Sequence, residues 1–221
     1  MILDSSDYRG TQAIFKNFAI ITDDGHGWFT PGKCSFTVPK FYENEFNSIV
    51  EAKLMFLMDL YGLSYAQLSP GANDTELHNR KNVEHYYVNE FKKANKQSLG
   101  ISLHCDAFSN PKKPNTQNEA NGFCVYYISE EGKKLARCIA DSIIINEKVK
   151  WGLTPRHDHG IEKANFYVLR ETLGTWVLIE NGFMTNDKEL TTLKNDNFRN
   201  TRTLSIFKGL YNYINQENET A

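Results

Sequence analysis

Three apolar, β-type runs are each followed by a side chain that can bind a metal or transfer a proton. His26 lies in Asp-Asp-Gly-His-Gly, His104 in Ser-Leu-His-Cys-Asp, and Glu180 in Leu-Ile-Glu-Asn-Gly-Phe. In an open α/β sheet, the loops at the carboxyl ends of the strands converge on one crevice, so residues distant in sequence can meet there. The pattern predicts one pocket that contains two imidazoles and at least one carboxylate.

Two imidazoles and one carboxylate are a common ligand set of catalytic zinc, which keeps an open position for water. His26, Glu43 and His104 could supply this set. Glu180 could then accept a proton from water and pass it to a leaving nitrogen. Together these residues indicate metal-assisted amide hydrolysis.

Each residue taken alone also has a simpler interpretation. A single histidine at a strand end is usually a hydrogen-bonded structural residue. Glu43 precedes a helical pattern, where a carboxylate interacts favourably with the helix dipole. Glu180 differs, because a buried acid without a partner is costly. Residue types and spacing alone therefore leave a metal hydrolase as one of the open alternatives.

The sequence around these residues predicts strands that alternate with helices, and these elements must position the site. Helical periodicity begins at Glu43 and predicts a first helix. A second helix is expected to be capped by Asn73 or Asp74 and to run to about Ala94, and a third is expected to be capped by Ser129. In the second helix, Leu77, Tyr87, Phe91 and Ala94 are expected to face inward. A capping box is predicted at Asn186 and Glu189, before a closing helix through Leu204, Phe207, Tyr211 and Ile214. The predicted strands are 18–22, 99–103, 123–128 and 175–179.

Three polar, Gly- and Pro-bearing stretches are predicted to be loops at the rim of the site: 28–42, 109–120 and 151–167. The third contains His157, Asp158 and His159, which could form a second metal site or a solvated loop that contacts substrate. Lys163 and Arg170 could bind a peptide carboxylate, although exposed basic residues usually contact only solvent.

Length and charge limit the classes of protein. The chain has 221 residues and a net charge of −2, from 25 basic and 27 acidic residues, so we expect one domain and no nucleic-acid partner. No apolar run approaches 18 residues, so no membrane partner is expected. Cys34, Cys105, Cys124 and Cys138 form no Cys-x-x-Cys pair and are predicted to be reduced thiols. The first residues lack a secretory signal pattern, which predicts a chain that is cytosolic when synthesised.

The motifs resemble those of zinc-dependent N-acetylmuramoyl-L-alanine amidases of the type 3 family. The matching segments are Asp23 to Gly27, Glu43 to Asn47, Asp74 to Arg80, Ser102 to Ala107 and Leu178 to Asn186. The resemblance implies that His26, Glu43 and His104 bind Zn²⁺, with Glu43 preferred over Glu45, and that Glu180 is the catalytic base. Trp28, Tyr42 and Asp106 depart from the usual pattern, so substrate contacts are expected to differ.

The resemblance also implies an α/β fold with a mixed, mostly parallel six-stranded sheet flanked by helices. A single catalytic domain over residues 1–221, without a separate wall-binding domain, would hydrolyse the amide between N-acetylmuramic acid and L-alanine in peptidoglycan. We expect a monomer that reaches the cell wall after holin-mediated release, as a phage endolysin does, although a removed signal peptide would also explain the first residues. The alternatives are a zinc peptidase that cuts within the stem peptide and a catalytically silent wall-binding module.

Overall fold

The computed structural model describes residues 13–109 and 111–220, which form alternating strands and helices. The strands are β1 (Phe18–Asp23), β2 (Ser64–Gln67), β3 (Gln97–Asp106), β4 (Cys124–Tyr127), β5 (Ile161–Lys163) and β6 (Thr175–Phe183). The helices are α1 (Glu43–Tyr61), α2 (Leu77–Lys93), α3 (Glu130–Trp151), α4 (Tyr167–Arg170), α5 (Asp187–Leu193) and α6 (Asp196–Thr220).

The six strands form one sheet in the order β2-β1-β3-β6-β4-β5. Neighbouring strands are parallel except β4 and β6, which pair antiparallel. The predicted mixed, mostly parallel six-stranded sheet is therefore confirmed. Because β1, β3 and β6 are parallel neighbours, their carboxyl ends meet at one edge of the sheet.

Helices cover both faces of the sheet, which explains why the central strands are apolar on both sides. On one face, α1, α3 and α6 contribute Leu54, Ile139 and Phe207 to the main core. On the other face, a smaller cluster includes Trp176 of β6 and the partly buried Phe91 of α2. This second face also carries the side chains that lead into the site.

The predicted start of α2 was wrong. The helix begins at Leu77 with Glu76 as its N-cap residue, whereas the Asp74 carboxylate accepts hydrogen bonds from Thr30 and Arg80. Leu77 is 52% exposed and Ala94 is also exposed, so neither faces inward as expected. The buried residues of α2 are instead polar: Arg80 and Glu84.

Two short strands were not predicted. β2 has four residues and β5 has three, too few to show a periodic pattern. β5 lies inside the stretch 151–167, which was expected to be a loop. Both strands are at the edges of the sheet, where few apolar residues are required.

The predicted caps of α3 and α5 are largely confirmed. Ser129 Oγ accepts a hydrogen bond from the backbone N–H of Gly132 at 3.0 Å, and Asn186 Oδ1 accepts from the N–H groups of Lys188 and Glu189. The second hydrogen bond of a capping box, from the backbone N–H of Asn186 to the Glu189 carboxylate, is not formed. The Glu189 carboxylate instead accepts from the N–H groups of Gly122 and Phe183, so it joins the β4 and β6 regions.

The four cysteines are free thiols, as predicted. Among the helices of the described residues, none is long and apolar enough to cross a membrane.

Candidate active site

The structure brings His26, Glu43 and His104 together. His26 follows β1, Glu43 is the first residue of α1, and His104 lies near the carboxyl end of β3. One ligand atom from each lies within 4.8 Å of the other two. Glu43 Oε1 is 2.8 Å from Nδ1 of His104, and Glu43 Oε2 is 3.8 Å from Nε2 of His26. This is a group that can hold a metal ion.

Gly25 allows the His26 loop to approach β3. Its φ of +73° is a conformation that residues with a side chain rarely adopt, and an added Cβ would lie 2.6 Å from the carbonyl oxygen of Leu103. Asn44, at the start of α1, donates a hydrogen bond to Asp24 Oδ2 at 3.0 Å and another to the carbonyl of His26. The His26 loop is therefore fixed to both β3 and α1.

The electrostatics of the three residues fit a cation site. Burial lowers the pKa of His26. Burial is the largest single effect on Glu43 and His104 and opposes their charged forms. Their mutual hydrogen bond and the attraction of nearby opposite charges together exceed it, so the pKa of Glu43 is lowered and that of His104 is raised. The carboxylate thus favours a positive charge beside it, as the carboxylate of a cation site would.

The two glutamates at the start of α1 have different positions. Glu43 is only 2% exposed and faces both histidines. Glu45 accepts a hydrogen bond from the backbone N–H of Tyr42 at 2.9 Å, which satisfies a free donor at the helix start. The geometry therefore favours Glu43 as the carboxylate of the group.

Behind His104, a hydrogen-bonded chain runs into the protein. Nε2 of His104 lies 3.1 Å from Ser102 Oγ, which donates to Asp23 Oδ2 at 2.7 Å. Asp23 and Ser102 are both buried. These contacts orient the ring so that Nδ1 faces Glu43.

Arg80 links this chain to Asp74, which lies near His26. Its guanidinium pairs with Asp23 and, at 2.7 Å, with Asp74 Oδ1. Asp74 Oδ2 is 3.6 Å from Nδ1 of His26. One arginine thus connects the carboxylates that lie behind the two histidines. Both residues lie in one of the matching motifs, but the sequence suggested at most a helix cap for Asp74 and no role at the site for either.

Glu180 is the direct neighbour of His104 in the pairing of β3 and β6. After this pair the register shifts, so that Asp106 pairs with Phe183. Glu180 Oε2 is buried and has no hydrogen-bond partner among the described residues. Burial, reinforced by Glu43 and Asp106, raises the pKa of Glu180 to about 8. Such a carboxyl group can exchange protons near neutral pH.

Asp106, a departure from the motif, has a partner that asparagine could not match. Its Oδ2 lies 3.0 Å from Nη1 of Arg156, and its Oδ1 accepts from the N–H of Ala107. The guanidinium of Arg156 also lies over the ring of Phe183, 4.8 Å from its centre. Arg156 thus lies next to the Glu180 region, a position that the sequence did not suggest.

A cleft of about 420 Å³ opens beside the two histidines. Its polar side includes Asp74 and Arg80, and its apolar side includes Leu77, Phe166 and Tyr167. The cleft is large enough for a short peptide or sugar fragment, and its walls could contact both apolar and hydrogen-bonding groups. Lys163 is exposed, while Arg170 pairs with Glu171.

His157, Asp158 and His159, for which a metal site and a solvated loop were both open, do not form one group of ligands. Asp158 and His159 contact each other at 3.5 Å on the surface. His157 instead meets Cys124 and Glu162, with ligand atoms within 4.8 Å of one another.

Comparison with known proteins agrees with this arrangement. A family model described as N-acetylmuramoyl-L-alanine amidase matches residues 20–212. The chain belongs to this amidase family. The match covers every residue of the groups described above.

Solved structures support the same family. This amidase-family chain resembles the catalytic domain of CwlV, an N-acetylmuramoyl-L-alanine amidase from Bacillus (Paenibacillus) polymyxa var. colistinus. The identity is 26%, the TM-score is 0.73, and the match covers 90% of this chain and 98% of that one. An N-acetylmuramoyl-L-alanine amidase from Clostridium difficile 630, 23% identical with a TM-score of 0.73, has the same fold over 90% of this chain and 98% of its own.

The curated relatives are longer than this amidase-family chain. It is 27% identical over 202 residues to an uncharacterized cell wall amidase of Bacillus anthracis, covering 88% of this chain and 35% of the relative. It is 26% identical to a probable cell wall amidase, LytH, of Staphylococcus saprophyticus, covering 91% of this chain and 60% of the relative. The chain thus spans between about one third and three fifths of these relatives.

Proposed function

We propose that the protein is a zinc-dependent N-acetylmuramoyl-L-alanine amidase that cleaves peptidoglycan. The observation that carries this proposal is the unpartnered Glu180 carboxylate beside the His26, Glu43 and His104 group. Membership of the amidase family supports the choice of the amide between N-acetylmuramic acid and L-alanine as the bond that is cleaved. Because every residue of the site comes from one chain, a monomer would suffice for hydrolysis.

The ligand set fits zinc better than a hard cation. Two imidazoles and one carboxylate are usual zinc ligands, whereas calcium and magnesium prefer oxygen ligands. His26, Glu43 and His104 would hold the ion, and Ser102 and Asp74 would orient the two rings. Bound Zn²⁺ supplies a Lewis acid at the site of reaction.

Glu180 would transfer the proton. Its Oε2 accepts a proton from the attacking water as water adds to the lactyl carbonyl of N-acetylmuramic acid. The protonated carboxyl then donates to the amide nitrogen of L-alanine when the C–N bond breaks. Between the two steps Glu180 holds the proton, and its Oε2 has no hydrogen-bond partner among the described residues that would compete for it.

Product analysis after metal removal and replacement tests this proposal. Purified peptidoglycan is incubated with untreated protein, with EDTA-treated protein, and with EDTA-treated protein supplied with Zn²⁺. We expect zinc-restored release of intact stem peptides that begin with L-alanine. Stem peptides cut internally would show a peptidase instead. Binding to the wall without cleavage in the zinc-loaded sample would show a binding module.

A further inference from the structure

We propose that Cys124, His157 and Glu162 form a second metal site, which takes a zinc-like divalent ion and lies beside the active site. One ligand atom from each residue lies within 4.8 Å of the other two. The three residues come from β4, from the loop before β5, and from β5. This site differs from the group of His157, Asp158 and His159 that the sequence left open, because Asp158 and His159 are not part of it.

The chemistry of the three donors matches zinc. Thiolate, imidazole and carboxylate are all zinc ligands, and in a tetrahedral site they lie roughly 3.3–3.6 Å apart. His157 Nε2 and Glu162 Oε2 are 2.9 Å apart, so a shift of a few tenths of an ångström would open their hydrogen bond to that spacing. Three ligands leave a fourth position for water.

The burial of the donors gives the site an inner and an outer side. Cys124 is fully buried, whereas the side chains of His157 and Glu162 are 41% and 42% exposed. An ion can therefore enter from solvent and reach the thiol from the open side. The thiol is otherwise in an apolar cluster with Tyr126 and Leu178.

The backbone holds the three donors in place without a metal. The loop that carries His157 is tied to β4 by hydrogen bonds from Phe123 N to Thr154 O and from Arg156 N to Phe123 O. β4 and β5 are paired so that Glu162 lies beside Tyr126. His157 itself has a φ of 53°, which is uncommon for a residue with a side chain. The backbone that carries the three donors is thus formed without a metal, and only side chains would move on binding.

The position of Cys124 gives the site a consequence for catalysis. Cys124 and Glu180 are direct neighbours in the antiparallel pairing of β4 and β6. A cation at Cys124 would attract the Glu180 carboxylate, whose Oε2 has no hydrogen-bond partner among the described residues, and draw it away from the attacking water. Excess metal should therefore slow hydrolysis, a consequence that rests on the proposed function.

Cobalt(II) spectroscopy tests the site independently of activity. His26, Glu43 and His104 contain no thiol, so a thiolate-to-cobalt charge-transfer band reports only a cysteine-containing site. We expect this band to appear as the second equivalent of Co²⁺ binds the wild type. It should disappear in Cys124→Ser and persist in the control Cys138→Ser. An undetectable band in the wild type, or a band that persists in Cys124→Ser, would overturn the site.

Variants of two matched histidines test the expected slowing of hydrolysis by excess metal. His157 and His159 both have a φ of 53° and are exposed, and asparagine tolerates this conformation. We expect micromolar excess Zn²⁺ to slow hydrolysis several-fold in the wild type and in His159→Asn, but much less in His157→Asn. Equal sensitivity of both variants would overturn the regulatory role. If no form cleaves peptidoglycan, the proposed function fails while the cobalt spectrum still decides the site.

Discussion

The side-chain amide of Asn181 donates a hydrogen bond to the backbone carbonyl of His104 at 2.9 Å. Asn181 follows Glu180, so this bond joins the strand that carries the proposed base to the strand that carries a proposed ligand. Asn181 Oδ1 accepts in turn from Arg202 Nη1 at 2.7 Å. Arg202 and its partner Glu147 are both fully buried. The interior ion pair between α6 and α3 thus supports the geometry of the site.

Replacement of Arg202 should destabilise the protein strongly. In Arg202→Met, Glu147 would be left as an unpaired buried charge, which costs about 3–5 kcal/mol in the free energy of unfolding. Urea denaturation measures this loss. The double variant Arg202→Met/Glu147→Leu should recover part of it, because no charge remains buried alone.

An exposed ion pair gives the matched control. Lys93 and Glu90 are 71% and 43% exposed, so Glu90→Gln should change the free energy of unfolding by less than about 1 kcal/mol. A loss in Arg202→Met no larger than that in Glu90→Gln would show that the buried pair does not support the fold.

Arg80→Lys should weaken metal binding. A lysine can contact only one of Asp23 and Asp74, whereas the guanidinium contacts both. Loss of such supporting contacts lowers metal affinity by about 10–100-fold. Competition with a chromophoric chelator measures the affinity, and Lys81→Ala on the same helix is the control. Unchanged affinity in Arg80→Lys would contradict this role. If the metal-free form of Arg80→Lys also melts earlier than wild type, the effect is one of folding.

Glu180→Gln should separate metal binding from catalysis. The amide keeps the size of the side chain but cannot accept the proton, so activity should fall by at least about 100-fold. Metal content, measured by atomic emission, should equal that of wild type because the three proposed ligands remain. The exposed Glu119→Gln should keep full activity. Full activity in Glu180→Gln would exclude Glu180 as the base.

Glu51 should make stability depend on pH. Burial raises the pKa of this α1 carboxyl to about 7, helped by the nearby Asp24, while the unfolded value is near 4.5. The folded state therefore binds the proton more tightly. The contribution of Glu51 to the free energy of unfolding is full below pH 4.5, decreases as the pH rises towards about 7, and is lost above that pH.

Glu51→Gln should remove this dependence. Above pH 7 the variant should be more stable than wild type, by on the order of 2–3 kcal/mol, and near pH 4.5 the two should be similar. Melting temperatures of both forms between pH 4.5 and 8 measure the difference. A constant difference across this range would show that Glu51 does not titrate as described.

The sequence contained strong signals for the sheet and for the proposed site. The apolar runs of β1, β3 and β6 stop shortly before His26, His104 and Glu180, which marked these residues as a group. The expected strand ends were too early for two of them, since β3 and β6 continue to Asp106 and Phe183. Helical periodicity from Glu43 placed that carboxylate at a helix start. These signals are local in the chain, and for this reason they could be read without the structure.

Contacts between distant polar residues could not be read in this way. The expected cap at Asn73 or Asp74 was wrong. The Asp74 carboxylate accepts hydrogen bonds from Arg80 and Thr30, and neither contact can be inferred from a local helix-start pattern. The position of His157 beside Cys124 was equally hidden, since Cys124 is distant in the sequence and Glu162 belongs to the unpredicted strand β5. The edge strand β5 was too short to give a pattern.

Hydrolysis in heavy-oxygen water tests the central claim most directly. Peptidoglycan is cleaved by the zinc-loaded protein in H₂¹⁸O, and the fragments are analysed by mass spectrometry. The account predicts one ¹⁸O atom in the lactyl carboxylate of the muramic acid fragment and none in the released stem peptide that begins with L-alanine. Label in a carboxylate within the stem peptide, with the lactyl amide intact, would contradict it.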